Sequence, residues 1–395
     1  MPQTLSPRRH REYAEGGMPM IGPPRILIAP DKFKGTLSGA QAAAAIASGI
    51  ARVHPEAEIR TVVIADGGEG TVDAAMAAGA ERHTAVVAGP LDDPVTAEWA
   101  RLGDDAVIEL ASASGLQLVP AATTATALAA HTEGVGQLIR AALDVGVQEI
   151  LVGVGGSAGT DGGTGALRAL GGRFLDRAGR EIRGGGGALG RIASIDLGGL
   201  DSRLSRASIT VVCDVSAPLL GSRGAAAVFG PQKGADAPTV ALLEDGLANL
   251  AARMAETTGR DMSDILWGGA AGGTAGGLYA ALDASFAPGI EQVAALIGLD
   301  ALVEWADVVV VGEGSLDAQS LQGKGPIGVV RKAIKWGRRT VAVAGRITLS
   351  PSELTAVGLD AWAAAVDVAP APGAALGPDA SRWVSEAAAR AAAML

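Results

Sequence analysis

The chain has 395 residues, 48% hydrophobic and 19% charged, a balance that excludes an intrinsically disordered protein and suits about two globular domains. Its formal net charge of −10 leaves no basic footprint for nucleic acid, although local lysines can still draw an anion into a cleft. The single cysteine, Cys213, excludes an intrachain disulfide, and the lack of any apolar run of about 18 residues predicts no membrane span.

Residues 1–24 contain Arg8, Arg9, His10 and Arg11 without an apolar segment behind them. They read as a disordered extension and not as a secretory signal, with Met18 and Met20 as alternative starts, which predicts a cytoplasmic protein. Ordered structure is expected to begin with a strand at 25–30 that ends at Asp31. An Ala-rich helix follows over 38–52, with Ser38 as its N-cap. A second strand over 60–65 ends at Asp66, and another helix opens near Gly70. Strand, acidic residue, glycine turn and helix in succession predict a parallel α/β sheet.

The pattern changes over 84–295. Short strands are expected at 84–87, 96–101 and 106–109, a helix at 132–145, and buried strands at 150–154 and 209–213. Gly184–Gly187 reads as a flexible loop and 239–258 as an amphipathic helix. The first pattern returns with a strand at 307–311, a helix at 325–336, a strand at 340–344 and a final helix at 381–395. The organisation this predicts is α/β: a doubly wound parallel sheet domain from both chain ends, residues 25–83 and 296–395, with a second mixed α/β domain, 84–295, inserted.

Five motifs carry chemistry. Asp31-Lys32-Phe33-Lys34-Gly35-Thr36 follows a strand, where open α/β sheets bind ligands, and offers two cations for an anion. Asp66-Gly67-Gly68-Glu69-Gly70-Thr71 combines glycines that admit close backbone approach with two carboxylates able to hold Mg²⁺ through oxygen. Gly155-Gly156-Ser157-Ala158-Gly159-Thr160-Asp161-Gly162-Gly163 has five glycines in nine residues, more than a structural loop needs. Asp214 follows a buried strand, with Lys233 downstream as a point charge for phosphate; Cys213 beside valines reads as core. Glu313, Ser315 and Asp317 follow another buried strand, ahead of Gly323-Lys324-Gly325, which lacks the Ser or Thr of a Walker A loop.

In this order, the segments APDKFKGTLS, ADGGEGT, GGSAGTDGG, CDV, VFGPQKGA, GAAGG and GEGSLD resemble the two-domain bacterial glycerate kinase family over about residues 25–350. The resemblance implies a Rossmann-like or flavodoxin-like domain, an inserted domain, and a site in the cleft between them. It implies phosphoryl transfer from MgATP to D-glycerate, giving 2-phosphoglycerate or else 3-phosphoglycerate. The family's Arg-Asn-Pro is replaced here by Ala125-Thr126-Ala127, and the Asn of its Asp-Val-x-Asn-Pro by Ala217, which leaves another small hydroxy acid open as substrate.

On this reading Lys32, Lys34 and Lys233 neutralise phosphate or carboxylate charge. Asp66 and Glu313 hold Mg²⁺, and Asp161 or Asp317 is the general base. Asp31, Gly67, Gly68, Glu69, Gly155, Gly156, Ser157, Asp214 and Lys324 complete the binding set for nucleotide and hydroxy acid. Two rivals stay open, with oligomeric state. One is an NAD(P)-dependent hydroxy-acid dehydrogenase, resting on Gly153-x-Gly155-x-x-Ala158. The other is a non-catalytic sugar-acid sensor on the same fold.

Overall fold

Runs of valine and isoleucine between acidic or glycine turns form the strands, as β-branched side chains favour. The computed structural model describes residues 22–394 apart from Lys34, Asp66, Val215, Gln319, Gly323 and Lys324. Most of the expected N-terminal extension therefore lies outside the described residues. The strands are β1 (Arg25–Pro30), β2 (Glu58–Thr61), β3 (Glu81–Ala88), β4 (Pro94–Leu102), β5 (Asp105–Glu109), β6 (Glu149–Gly153), β7 (Arg173–Leu175), β8 (Ser194–Asp196), β9 (Ser208–Val212), β10 (Ser285–Ala287), β11 (Val308–Leu316), β12 (Arg339–Ile347) and β13 (Ala361–Ala364).

The first sheet, in the order β13-β12-β11-β1-β2, is wholly parallel. The chain leaves β1 toward β2 on one side and rejoins it through β11 on the other. The boundary between β1 and β11 is thus a topological switch point, where the crevice beyond the carboxyl ends accepts ligands. Helices cover both faces. Leu27, Val309 and Val311 pack with Ile327 and Val330 on one face; Ile26, Ile28 and Val310 pack with Ile46, Ile50 and Val384 on the other. Each such buried aliphatic side chain contributes about 1.5–3 kcal/mol. The N-terminal helix Gly39–Val53 starts where expected: Ser38 accepts from Gln41 N and Gln41 reaches back to Ser38 N. It crosses the C-terminal helix Ala380–Ala392 so closely that a Cβ on Gly49 would stand 2.2 Å from Ser385 O.

The second sheet runs β10-β9-β6-β5-β4-β3; its first four strands are parallel, and β4 and β3 are antiparallel. β7 and β8 form a separate antiparallel ribbon. Helices Glu133–Asp144, Thr164–Ala169 and Ala237–Thr258 pack in its core through Val135, Leu138, Leu167, Leu247 and Leu250. Helix Gly289–Leu296 follows β10 but buries Val293 and Ala294 in the first sheet's core.

Two expectations need correction. The ladder of β2 occupies 58–61, not 60–65. The buried run Val62–Ala65 stays extended, with Val62 N and Ile64 N donating to Ile28 O and Pro30 O, but carries no further strand. The segment 184–187 is no flexible loop: Gly185 and Gly186 are buried, and Gly186–Arg191 forms a 3₁₀ turn packed on helix Ala237–Thr258. A Cβ on Gly186 would reach 2.4 Å from Thr160 O. Helix Thr274–Leu282 and strands β10 and β13 escape the sequence reading.

Candidate active site

The carboxyl ends of β1 and β11 bring three acids together. Asp31 N donates to Gly312 O at 2.8 Å, which sets Asp31 beside Glu313. Burial pushes the Glu313 carboxyl up to about 7, against a Ser320 hydrogen bond; the Asp31 and Asp317 charges push the same way as burial. Glu313 Oε1 is buried and has no hydrogen-bond partner among the described residues. Ser320 Oγ also accepts from Asp317 N at 3.2 Å, and Ser315 Oγ donates to Asp317 Oδ2 at 3.3 Å. A Cβ on Gly325, at the start of helix Pro326–Lys335, would lie 3.5 Å from Asp31 Oδ2.

Beside this cluster, Lys32 Nζ donates to Glu69 O at 2.9 Å and to Glu69 Oε2 at 2.8 Å. The Glu69 side chain is 68% exposed, so this ion pair is weak and exchangeable. Lys32 and Glu69 face a cleft of about 330 Å³ whose other walls include Asp31, Gly35–Gly39 and Gly70. The amino end of helix Gly39–Val53 therefore lines the cleft; the capping box already uses the Ser38 and Gln41 N–H groups, which leaves those of Gly39 and Ala40 for an anion.

The turn at Gly67–Gly70 is the seam with the second sheet. Gly67 and Gly70 have φ of +81° and +102°, open to glycine alone without strain. A Cβ on Gly153 would sit 2.3 Å from Gly67 O, and one on Gly155 would sit 2.8 Å from Gly68 Cα. The two glycine-rich motifs thus touch backbone to backbone. Glu109, at the end of β5, accepts from Gly70 N at 2.9 Å and Val72 N at 2.8 Å, capping helix Thr71–Ala77 from the opposite sheet. Burial raises its carboxyl above the ordinary value in spite of those two bonds. Glu109 closes the strand expected at 106–109, and an acid at a strand end is the sequence signal of its role.

The loop 155–163 is buried at its far end. Gly156 O accepts from Leu116 N and Ser157 bridges Gly115. Lys233 is 2% exposed, and its Nζ donates to Ser157 Oγ at 3.1 Å and to Gly159 O. Burial pulls Lys233 down to about 8, with Asp161 opposing. Asp161 is fully buried and accepts from Thr132 N, Thr132 Oγ1, Gly163 N and Gly165 N. With four donors around it and no exposed surface, this carboxylate caps helix Thr164–Ala169 and is closed to a substrate hydroxyl. Thr132, which aims Asp161, stands at the start of the helix expected over 132–145, where nothing local signals its link to Asp161. Asp214 Oδ1 accepts from Gly289 N at 2.9 Å, at the amino end of helix Gly289–Leu296.

Asp31, Lys32, Gly67, Gly68, Glu69, Gly155, Gly156, Ser157, Glu313 and Asp317 thus form one connected band, with Lys233 behind the loop. Lys34, Asp66 and Lys324 lie outside the described residues. No helix opens at Gly155, as a dinucleotide fingerprint requires; the next begins at Thr164, after Gly162 and Gly163 at φ +60° and +78°. Cys213 is buried in the second core, as expected. Among the described residues no helix is long and apolar enough to cross a membrane.

The profile of the glycerate kinase family matches residues 26–395. The glycerate kinase of Bacillus subtilis is 44% identical over 340 residues, spanning 85% of this chain and 89% of the relative. The glycerate 2-kinase of Escherichia coli K12 is 43% identical over 341 residues, with the same two coverages. A crystal structure of a Salmonella typhimurium LT2 protein assigned as glycerate kinase 2 superposes with a TM-score of 0.81 at 41% identity, over 94% of this chain and 97% of that one. With these matches running through the segments that build the cleft and the seam, the chain belongs to the glycerate kinase family and is an enzyme of the kinase class.

Proposed function

We propose that the enzyme transfers the γ-phosphoryl group of ATP to the 2-hydroxyl of D-glycerate in the cytoplasm, giving 2-phosphoglycerate. The observation that carries this reading is the seam: a backbone-only contact between two glycine turns, flanked on one side by the Lys32 cleft and on the other by the Ser157–Lys233 loop. With the two sheets taken as two domains, the reactants meet between them. Phosphoryl transfer needs positioning and charge neutralisation above all. Lys32 exchanges its exposed partner Glu69 for a phosphate oxygen, and the amides at the start of helix Gly39–Val53 take up further negative charge. Lys233 remains cationic below about 8 and holds the loop in shape through Ser157 and Gly159.

Mg²⁺ fits the carboxylate cluster. Glu313 Oε1 is a buried oxygen with no partner among the described residues, beside two further acids. Mg²⁺ typically binds through one or two carboxylates plus substrate phosphates, a ligand set that this cluster and a bound nucleotide could supply together. Glu313 with Asp31 would hold it, and its charge would offset that of the phosphates. Asp317, oriented by Ser315 and Ser320, then receives the hydroxyl proton.

A coupled assay of ADP release across D-glycerate, L-glycerate, tartronate and lactate tests the reading, with ³¹P NMR of the product. Turnover highest on D-glycerate with phosphate on O2 is expected. Phosphate on O3 overturns the regiochemistry, and absence of turnover on glycerate overturns the substrate.

A further inference from the structure

A second cleft, of about 630 Å³, lies between the segment Asp176–Arg180, the residues 190–193 at the end of the 3₁₀ turn, and helix Ala237–Thr258. None of its lining residues belongs to the site above. Four of them are arginines, Arg177, Arg180, Arg191 and Arg253, against one acid, Asp176. On a chain of net charge −10 this is a local reversal of sign. Arg180 Nη2 pairs with Asp176 Oδ2 at 2.9 Å, and Arg253 Nη1 pairs with Glu256. The side chains of Arg177 and Arg191 make no hydrogen bond or ion pair among the described residues, and Arg253 Nε is buried without a partner. Asn249 Nδ2 donates to Leu189 O at 2.9 Å and Ile192 O at 3.0 Å, which fixes the wall that carries Arg191.

Asp176 and Glu256 offset Arg180 and Arg253, so Arg177 and Arg191 remain as two exposed guanidiniums without a counter-charge among the described residues. An anion in the cleft would supply it. Guanidinium forks match the oxygens of phosphate and carboxylate in pairs, and the cleft volume is that of a small-molecule site. We propose that this cleft is a second anion site, taking a small phosphate-bearing molecule separate from the substrates of phosphoryl transfer. Its size and the overall negative charge fit a small solute and not a nucleic acid.

The test is calorimetric titration of the full chain with inorganic phosphate, pyrophosphate and 3-phosphoglycerate, comparing the wild type with Arg177→Ala/Arg191→Ala. Both residues are exposed, and melting temperature with kcat on glycerate verifies that the variant is folded and its kinase site intact. At least one anion should bind the wild type 10-fold or more tightly than the variant, with affinity falling as salt rises. Which anion binds tightest separates an inorganic from an organic phosphate source. A single Arg191→Glu substitution should weaken that anion at least as much as the double variant does. Identical isotherms for wild type and double variant with all three anions overturn the proposal. Binding is read without turnover, so failure of the glycerate reading would leave this result standing.

Discussion

The two glycine-rich segments that meet at the seam differ in what surrounds them. The Gly67–Gly70 turn faces a cleft: its Glu69 is exposed, its neighbour Lys32 is held by an exchangeable pair, and a buried oxygen of nearby Glu313 has no partner among the described residues. The Gly155–Gly163 loop turns inward: Thr160 and Asp161 are buried, Asp161 has four donors, and Lys233 is spent on the loop itself. The glycines themselves do not make the difference, because in both segments they let protein approach protein: a Cβ on Gly67 would meet Val212 Cγ1 at 2.6 Å, and one on Gly272 would meet Gly159 O at 2.2 Å. The sharper difference lies in the acids: among the described residues the buried Oε1 of Glu313 has no partner, whereas Asp161 is met by four donors.

That contrast can be broken by substitution. The largest effect should come from the open side: Asp317→Asn lowers kcat by about 10²–10⁴-fold, as loss of a general base does. Its melting temperature should stay near that of the wild type, and near-normal turnover removes Asp317 from the chemistry. On the closed side, Asp161→Ala strands the N–H groups of Thr132, Gly163 and Gly165 in the interior. Urea unfolding should show a loss of about 3 kcal/mol or more, since each orphaned buried group costs about 1–3 kcal/mol. A variant that unfolds like the wild type yet has lost its rate would reverse the assignment of the two sides. The smallest effect is a pH signature of Glu313. Burial lifts its folded value from 4.5 to about 7, so its contribution to stability is complete below about 4.5 and is lost as pH rises through about 7. Without Mg²⁺, the melting temperature of Glu313→Gln relative to wild type should climb across that window. A flat difference would mean that the carboxyl is not desolvated.

Much of this was legible in the sequence because it is local. Apolar runs ending in Asp31, Asp214 and Glu313 marked strand ends and, through them, the rim of the sheets. Ser38 and Gln41 announced a helix start from side-chain chemistry alone. What escaped depends on partners far away in the chain. Glu109 obeys the same rule as the other strand-end acids, but its donors lie 37 and 39 residues distant. Asp161 and Asp317 look alike in sequence; Thr132, brought in from 29 residues away, helps to make the first a buried cap while the second stays half-buried. Helix Thr274–Leu282 was obscured by Gly276 and Gly277, poor helix formers in isolation. A Cβ on Gly277 would lie 2.0 Å from Gly162 O, so packing demands the residue that propensity disfavours.

The lone cysteine offers an experimental handle. Cys213 is only 7% exposed, where the last residues of β9 run beside β10 toward the seam. A thiol so sheltered reacts with a bulky alkylating reagent mainly when the surrounding structure breathes. Each molecule thus carries a single built-in clock, whose labelling half-time under native conditions counts the openings of that corner, with no label to install and no second sulfhydryl to subtract.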